Sequence, residues 1–364
     1  MKNFMKKFIA ATLCVVMLIS FAGCARISNL FGRSDRAMQP IHLGGDYSDA
    51  FAAFGPGVVM LRADDLEVTW GELFFHIRMM TEGLRQHYGI LDLDILMSMY
   101  AELVLEESVQ TVLHFRALEY GAREAGITLS DEELERFNNE MAALLADYDG
   151  DESLFAQALW DSMGAYSLAM YEQIAKTSLL SGVMIMHMYG DHAQYLSDED
   201  VRAFTADDGY IMAMHILRSH DDLARGHAEM ILDLLNMYTG DDLTDYFAAL
   251  MHEWTDDPGV FTSPGGYLFQ QNDMVPEFYA GARALEIGEF SGIIESQFGY
   301  HIILRVPIDY DAVPARMRQM NRTLRQAVAM NLFEIALESW VDDFDVTFTP
   351  EFESLDLFEL FSLD

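Results

Sequence analysis

Two histidines sit in the middle of short apolar runs: His215 in MAMHILRS (Met212 to Ser219) and His301 in FGYHIILRV (Phe298 to Val306). Imidazole both donates and accepts hydrogen bonds near neutral pH, so two rings facing one cavity could orient a polar group, move a proton or hold a metal. Taken singly, each reads as a satisfied core histidine, and only convergence would make a site of them. A second cluster, Met184-Ile185-Met186-His187-Met188 followed by Asp191 and His192, has ligands that suit copper(I). A methionine-rich helix end of adaptable packing accounts for it more simply. The remaining histidines lack zinc spacing. Neither a phosphate-cradling glycine loop nor a GxSxG elbow occurs, and no metal or cofactor is expected.

The elements around the histidines read as follows. Both runs are rich in Ile, Leu and Tyr and end at turn-forming or polar residues, which predicts β-strands. Between them lie an amphipathic helix, a Gly/Pro loop and a second short helix, so Tyr210 to Pro307 reads β-α-α-β-α-β-β. Met274 and Phe278 in this block stand at i, i+4, which any amphipathic helix shows. From Pro56 to Pro258 there is no proline, and helical periodicity fills the interval, as befits segments that need all their amide donors. Ser130 and Glu133 form a capping box ahead of Leu134, Phe137, Met141 and Leu144 on one face, with Gly150 as the stop. Further helices are expected at about 92–126, 152–163 and 165–188, and another capped by Ser197-Asp198-Glu199-Asp200. Met317 to Val341 is again amphipathic, with Leu324, Val328, Leu332 and Ile335 on a stripe that one helix cannot bury alone. It is expected to return to the first helical region, which makes the central block an insertion.

Composition narrows the partners. The chain carries 59 acidic against 22 basic residues, a formal charge of −37, so nucleic acid is excluded as a partner that needs clustered Lys and Arg. An acidic surface serves solubility, suits a high-salt habitat and would attract basic unfolded chains. At the N-terminus, Lys2, Lys6 and Lys7 precede an apolar run from Phe8 to Ala22 that reads as a secretory signal. It ends in Phe21-Ala22-Gly23-Cys24, which resembles a bacterial lipobox with Phe21 in place of the usual Leu. Cys24 would then be the acylated first residue of the mature chain. The only other cysteine, Cys14, lies in the removed part, so no disulfide within the mature chain is expected. Pro40, Gly44, Gly45, Gly55, Pro56 and Gly57 among Ser and Asp suggest a tether.

Within the central block, MAMHILRS, Phe247-Ala248-Ala249-Leu250, Trp254-Thr255-Asp256-Asp257-Pro258, Pro264-Gly265-Gly266-Tyr267-Leu268-Phe269, Met274-Val275-Pro276-Glu277-Phe278, Gly288-Glu289-Phe290-Ser291 and FGYHIILRV resemble, in order and spacing, the parvulin family of peptidyl-prolyl isomerases. With the lipobox, the helical N-terminal region, the phrase Gly126-Ile127-Thr128-Leu129-Ser130-Asp131-Glu132-Glu133 and the returning helix, the whole chain resembles extracytoplasmic foldases of the PrsA/SurA type. The resemblance implies that His215 and His301 are the paired histidines of the site and that Asp257 holds the Cys-or-Asp position beside them. It makes Met274 and Phe278 the apolar wall for the proline ring, and Ser296 and Phe298 the polar and bulky positions before the second histidine strand. The departure is Gly265-Gly266-Tyr267-Leu268-Phe269, where the family more usually has Gly-Gly-Asp-Leu-Gly followed by an aromatic. Phosphate-directed members carry a basic loop after the first histidine strand; here it reads Ser219-His220-Asp221-Asp222-Leu223-Ala224-Arg225, which would repel a dianion.

The expected fold is α+β: a helical SurA-like chaperone domain with an inserted parvulin domain, a small antiparallel sheet covered by helices. The expected divisions are a signal peptide at 1–23, a tether at 24–60, the helical domain at 61–205, the parvulin domain at 206–307, the returning helix at 308–345 and an acidic tail at 346–364. The expected function is isomerisation of X-Pro bonds in unfolded or partly folded secreted polypeptides, without phospho-specificity. The protein would be lipid-anchored at Cys24 on the outer face of the cell membrane, with a homodimer left open. The alternative is a non-catalytic holdase on a degenerate parvulin scaffold.

Overall fold

The computed structural model describes residues 47–361 save Leu91. The signal peptide, Cys24 and most of the expected tether lie outside the described residues. The chain divides into two compact units: one contains residues up to Met188 and again from Asn331 on, the other Tyr189 to Met330.

The first unit begins with a short helix, α1 (Ser48–Ala52), and a hairpin of β1 (Val59–Ala63) and β2 (Leu66–Thr69). Five longer helices follow: α2 (Trp70–Tyr88), α3 (Leu93–Ala125), α4 (Asp131–Ala146), α5 (Glu152–Met163) and α6 (Leu168–Tyr189). Their ends follow local rules. Thr69 with Glu72 and Ser130 with Glu133 form reciprocal capping boxes, satisfying amides that the first helical turn leaves without partners. Gly89, Gly126 and Gly164 close α2, α3 and α5 in the left-handed conformation. The core joins Phe75, Phe115, Phe137, Phe155, Tyr171 and their neighbours from all five long helices.

After a 3-10 turn at Asp191–Ala193, the second unit has α7 (Asp198–Phe204), capped by Ser197 and Asp200, then runs β3 (Ile211–Ser219), α8 (Ala224–Met237), α9 (Leu243–Trp254), β4 (Tyr267–Phe269), α10 (Pro276–Arg283), β5 (Ile294–Ser296) and β6 (Gly299–Val306). This is the β-α-α-β-α-β-β order expected from the sequence. The four strands form one antiparallel sheet in the order β4-β3-β6-β5. Because side chains alternate along a strand, Ile211, Ala213 and Ile303 share one face and pack with Phe269, Phe278 and Ala282. The alternate set, Met212, Met214, Ile216, Ile302 and Leu304, is also buried. Helices α8 and α9 both pack against β3 and β6. A sheet covered on both faces reads as a continuous apolar run rather than a polar alternation, which is how both histidine segments look.

The chain then returns through α11 (Leu324–Asp342), β7 (Val346–Phe348), α12 (Pro350–Glu353) and α13 (Leu357–Phe361). Strand β7 pairs with β1, completing a three-stranded sheet of order β2-β1-β7 within the first unit.

Several expectations shift. Helix α11 begins at Leu324 rather than Met317, because Ala315–Met320 forms a 3-10 turn ended by Asn321 in the left-handed region. Its buried residues include Leu324, Val328, Phe333, Leu337 and Val341, whereas Ile335 faces solvent. The expected tether does not extend to residue 60. Tyr47 is buried, its hydroxyl donates to the Glu82 carboxylate, and Trp70 Nε1 donates to Phe51 O at 2.8 Å. The expected acidic tail is likewise tied down from Val346, since Leu357, Leu360 and Phe361 are buried. The small sheet also makes the first unit less than wholly helical.

Where α11 passes α3, a Cβ on Gly121 would meet the Trp340 ring at 2.6 Å, whereas one on Gly83 of α2 would meet nothing within 4 Å. Gly121→Ala should therefore lower stability by about 1–3 kcal/mol through overpacking. Gly83→Ala should raise it by about 0.5–1 kcal/mol, because helix-interior glycine costs chain entropy. Urea unfolding of the two variants checks the pair, and equal effects would contradict the docking of α11 on α3.

Candidate active site

Strands β3 and β6 pair so that His215 stands opposite Ile303 and His301 opposite Leu217. The two histidines are thus diagonal neighbours on one face, the spacing at which long side chains touch across strands. Their rings are stacked at 5.5 Å with an interplanar angle of 16°, and the two Nδ1 atoms are 3.2 Å apart. His215 Nε2 lies 2.7 Å from Asp257 Oδ2, and His301 Nε2 lies 2.6 Å from Ser296 Oγ. Asp257 caps the 3-10 turn at Pro258–Phe261, accepting from Gly259 N at 3.0 Å. Ser296 ends β5 and accepts from Phe298 N at 3.1 Å.

Donor and acceptor roles follow from the ends of this chain. Burial opposes ionisation of Asp257, but bonds from His215, Tyr267 and the Gly259 amide outweigh it and hold the carboxyl well below the usual carboxylate range. An ionised carboxylate only accepts, so His215 carries a proton on Nε2; with its Nδ1 unprotonated, that ring presents an acceptor to His301. His301 must then donate from Nδ1 and accept at Nε2 from the Ser296 hydroxyl. Burial, reinforced by repulsion from His215, pushes His301 down to about 4, which keeps it neutral as this arrangement requires. The hydrogen bonds run one way, from the Phe298 amide through Ser296, His301 and His215 to Asp257.

Phe278 projects from α10 onto this array. Its ring meets His215 edge-on at 5.1 Å and His301 at 5.5 Å. It is 3% exposed, so it is a buried wall; Met274 beside it is half-buried, while Phe298 is 55% exposed. Of the seven residues expected to meet here, His215, Asp257, His301, Ser296 and Phe278 form one contacting group. Met274 packs against the Phe278 cluster, and Phe298 is joined through its amide rather than its ring.

The departure at Gly265 to Phe269 resolves into two different side chains. Phe269 is fully buried and packs edge-on to Phe278 within the core. Tyr267 turns to the site: its hydroxyl donates to Asp257 Oδ2 at 2.6 Å, the same oxygen that His215 uses. Burial, then the bond to Asp257, push the Tyr267 phenol up to about 12. Gly259 makes the approach possible, since a Cβ there would lie 1.5 Å from the Tyr267 oxygen. Arg318 covers the other face of the Tyr267 ring at 4.5 Å. Sequence reasoning missed both residues as site partners; the irregular Gly-Gly-Tyr-Leu-Phe was the available signal for the first, and nothing local marks the second.

The loop after β3 offers no unpaired cation. Arg218 bonds Asp256 Oδ1 at 3.0 Å and Trp254 O at 2.6 Å, Arg225 pairs with Glu229 at 3.2 Å, and His220 Nε2 meets Ser296 O at 2.9 Å. Among the described residues no group of three or more His, Cys, Asp or Glu is placed to hold a metal ion.

Residues 215–306 match the rotamase family described as the PPIC-type PPIase domain. This segment is a parvulin-type peptidyl-prolyl isomerase domain. Beyond it, the chain is related to the foldase protein PrsA of Halalkalibacterium halodurans, with 30% identity over 58% of this chain and 59% of that protein. It is also related to PrsA of Clostridium perfringens, with 21% identity over 94% of each. The chaperone SurA of Alcanivorax borkumensis matches at 33% identity over 35% of this chain and 25% of its own length. Among solved structures, PrsA from Bacillus subtilis aligns with 79% of this chain and 91% of its own at 21% identity, with a TM-score of 0.26. The parvulin domain thus sits in a chain with PrsA and SurA homologues, and the helix-rich unit plus small antiparallel sheets is the α+β arrangement expected from the sequence.

Two measurements check the array. His301 has its folded pKa lowered, so between about 6.5 and about 4 the unfolded chain binds the extra proton. Stability of this unit should rise with pH through that window and fall as pH drops through it; His301→Gln should flatten the slope. Tyr267→Phe removes one donor to Asp257 and should cost about 0.5–1.5 kcal/mol, visible as a lower urea midpoint with an unchanged m-value.

Proposed function

We propose that this protein is a peptidyl-prolyl cis–trans isomerase and foldase that assists unfolded secreted polypeptides, without phospho-specificity. The reaction breaks no bond to carbon: rotation about X-Pro has a barrier of about 18–20 kcal/mol, set by amide resonance. A site lowers that barrier by binding the twisted amide better than either planar isomer. Met274 and Phe298, over the Phe278 wall, would hold the proline ring and exclude water from the amide. The one-way hydrogen-bond chain through His215 and His301 carries this reading, since it fixes Ser296, His301, His215 and Asp257 in one polar arrangement beneath the apolar opening. Fixed dipoles that need no rearrangement stabilise a transition state most effectively. The imidazoles act as orienting groups, and Asp257 as the acceptor for the Nε2 proton of His215; no nucleophile is needed.

Phe269 is buried in the core and so does not fill the site, which favours catalysis, whereas Tyr267, bonded to Asp257, stands in it, and a tyrosine filling the site would favour the non-catalytic holdase instead. The paired state of Arg218 and Arg225 supports a preference for unphosphorylated chains. The relatives named as foldases and chaperones support unfolded polypeptide as the substrate class. Among the described residues no helix is long and apolar enough to cross a membrane, and attachment through an acylated Cys24, with the signal at 1–23, is the anchor we propose. Division of labour follows the expected boundaries, with isomerisation in 206–307 and chain-holding in 61–205 with 308–345.

A chymotrypsin-coupled assay on a proline peptide with the full chain tests the proposal. Activity is expected for Ala-Pro and lower for phosphoSer-Pro. Phe298→Ala should raise KM several-fold, and Ser296→Ala should lower kcat/KM by about tenfold, the equivalent of 1.4 kcal/mol. No acceleration at any protein concentration would remove the isomerase claim.

A further inference from the structure

The two oxygens of Asp257 are held differently. Oδ1 accepts from the Gly259 amide at 3.0 Å, whereas Oδ2 accepts both from His215 Nε2 at 2.7 Å and from the Tyr267 hydroxyl at 2.6 Å. The last torsion of an aspartate is soft, so a second donor on the oxygen that faces His215 stiffens the carboxylate against turning. That donor is itself fixed. The Tyr267 ring packs against the cluster of Ile211, Ala213, Phe269 and Phe278, and its phenol, pushed up to about 12 first by burial and then by Asp257, keeps its proton near neutral pH.

A guanidinium from beyond the matched segment steadies this tyrosine. The 3-10 turn at Ala315–Met320 follows residues 215–306 in sequence and packs against β4. Arg316 of that turn pairs with both oxygens of Asp273 at 3.2–3.3 Å, which anchors the turn. Arg318, two residues on, lies 4.5 Å from the centre of the Tyr267 ring. Arg202, Arg218, Arg225, Arg316 and Arg325 of the same unit each pair with a carboxylate. Arg318 has no carboxylate partner among the described residues, and its one polar contact is Ser263 Oγ at 3.5 Å. Its charge is therefore left to the ring face, where a cation is attracted by the aromatic quadrupole. The same charge opposes the effect of burial on the phenol and so makes the hydroxyl a better donor to Asp257.

We propose that Tyr267, steadied by Arg318, is a positioning residue for isomerisation: it fixes the Asp257 carboxylate, and through it the His215 ring, in the geometry that meets the twisted amide. The role rests on the isomerase reading and separates two meanings of a tyrosine in this site. An organiser acts through its hydroxyl. A plug acts through its bulk.

Full-length variants in the chymotrypsin-coupled assay distinguish them. Tyr267→Phe keeps the ring but loses a hydrogen bond to a charged group, and should lower kcat about tenfold with KM unchanged to within about twofold. Gly259→Ala, whose Cβ would lie 1.5 Å from the phenol oxygen, should reproduce that loss by displacing the hydroxyl. Arg318→Ala should lower kcat about threefold, and Arg318→Lys should restore most of it, because an ammonium over the ring keeps the attraction. Adding Arg318→Ala to Tyr267→Phe should cost little more, the coupling expected when one residue acts through the other.

The Asp257 carboxyl supplies a readout that packing alone would not move. The groups facing it are His215 from β3 with His301 of β6 behind, Tyr267 from β4, the Gly259 amide, and Arg318 beyond the phenol. Loss of a donor disfavours the charged form, so the Asp257 carboxyl carbon, followed by NMR, should titrate at higher pH in Tyr267→Phe than in wild type. Wild-type kcat in Tyr267→Phe, an unmoved Asp257 titration, or a Tyr267→Ala variant more active than wild type would each overturn the proposal and leave the isomerase reading standing. If circular dichroism shows that Tyr267→Ala fails to fold, Tyr267→Phe decides alone. A wild type inactive together with every variant would remove the isomerase reading and this role with it.

Discussion

The Asp257 carboxylate is the constraint on which the isomerase site depends. It is half-buried, ionised and saturated by three donors, from His215, Tyr267 and the Gly259 amide. Because a carboxylate can only accept, its position dictates which nitrogen of His215 carries the proton, and that choice propagates to His301 and Ser296. Two stacked imidazoles on adjacent strands would otherwise have two equivalent tautomeric arrangements. The charge at one end removes that degeneracy without requiring a second ion in the sheet.

The cost of burying this polar array is offset by the layers around it. Helix α10 lays Phe278 over both rings, and Phe269 fills the space behind, so each imidazole has an aromatic edge where it lacks a hydrogen bond. The other sheet face carries Met212, Met214, Ile216, Ile302 and Leu304 in the alternate register, with Arg218 and Tyr300 at its end. Segregation of this kind lets one face of a four-stranded sheet be ordinary core while the other holds a fully connected polar network. Arg318 extends the dependence beyond the matched domain, since it stacks on the tyrosine that holds Asp257 and comes from the 3-10 turn at Ala315–Met320.

The helical unit handles charge differently. Arg116 shares two carboxylates at the edge of a cleft, and there the polar groups are not closed into a complete set.

Local chemistry in the sequence determined a large part of this protein. Capping boxes at Ser130 and Ser197 set helix starts to within a residue, because they involve groups three positions apart. The apolar runs around His215 and His301 specified strands, and the ordered landmarks from Met212 to Val306 specified the parvulin domain. Neither the role of Tyr267 nor that of Phe269 was readable, although both are adjacent in one irregular phrase; which of them turned inward depended on the space left by Gly259 and on the core behind Phe278. The stripe on α11 was misread at Ile335 because periodicity locates an apolar face only approximately, and the packing of Trp340 on Gly121 decided its rotation. The tether and tail were judged by composition, which cannot see that the Tyr47 and Phe361 rings meet at 5.6 Å across a sequence separation of 314. Spacing along the chain determined the elements and the family; tertiary structure alone decided which side chains share an oxygen, a ring face or a cavity, because those meetings depend on distances that sequence separation does not encode.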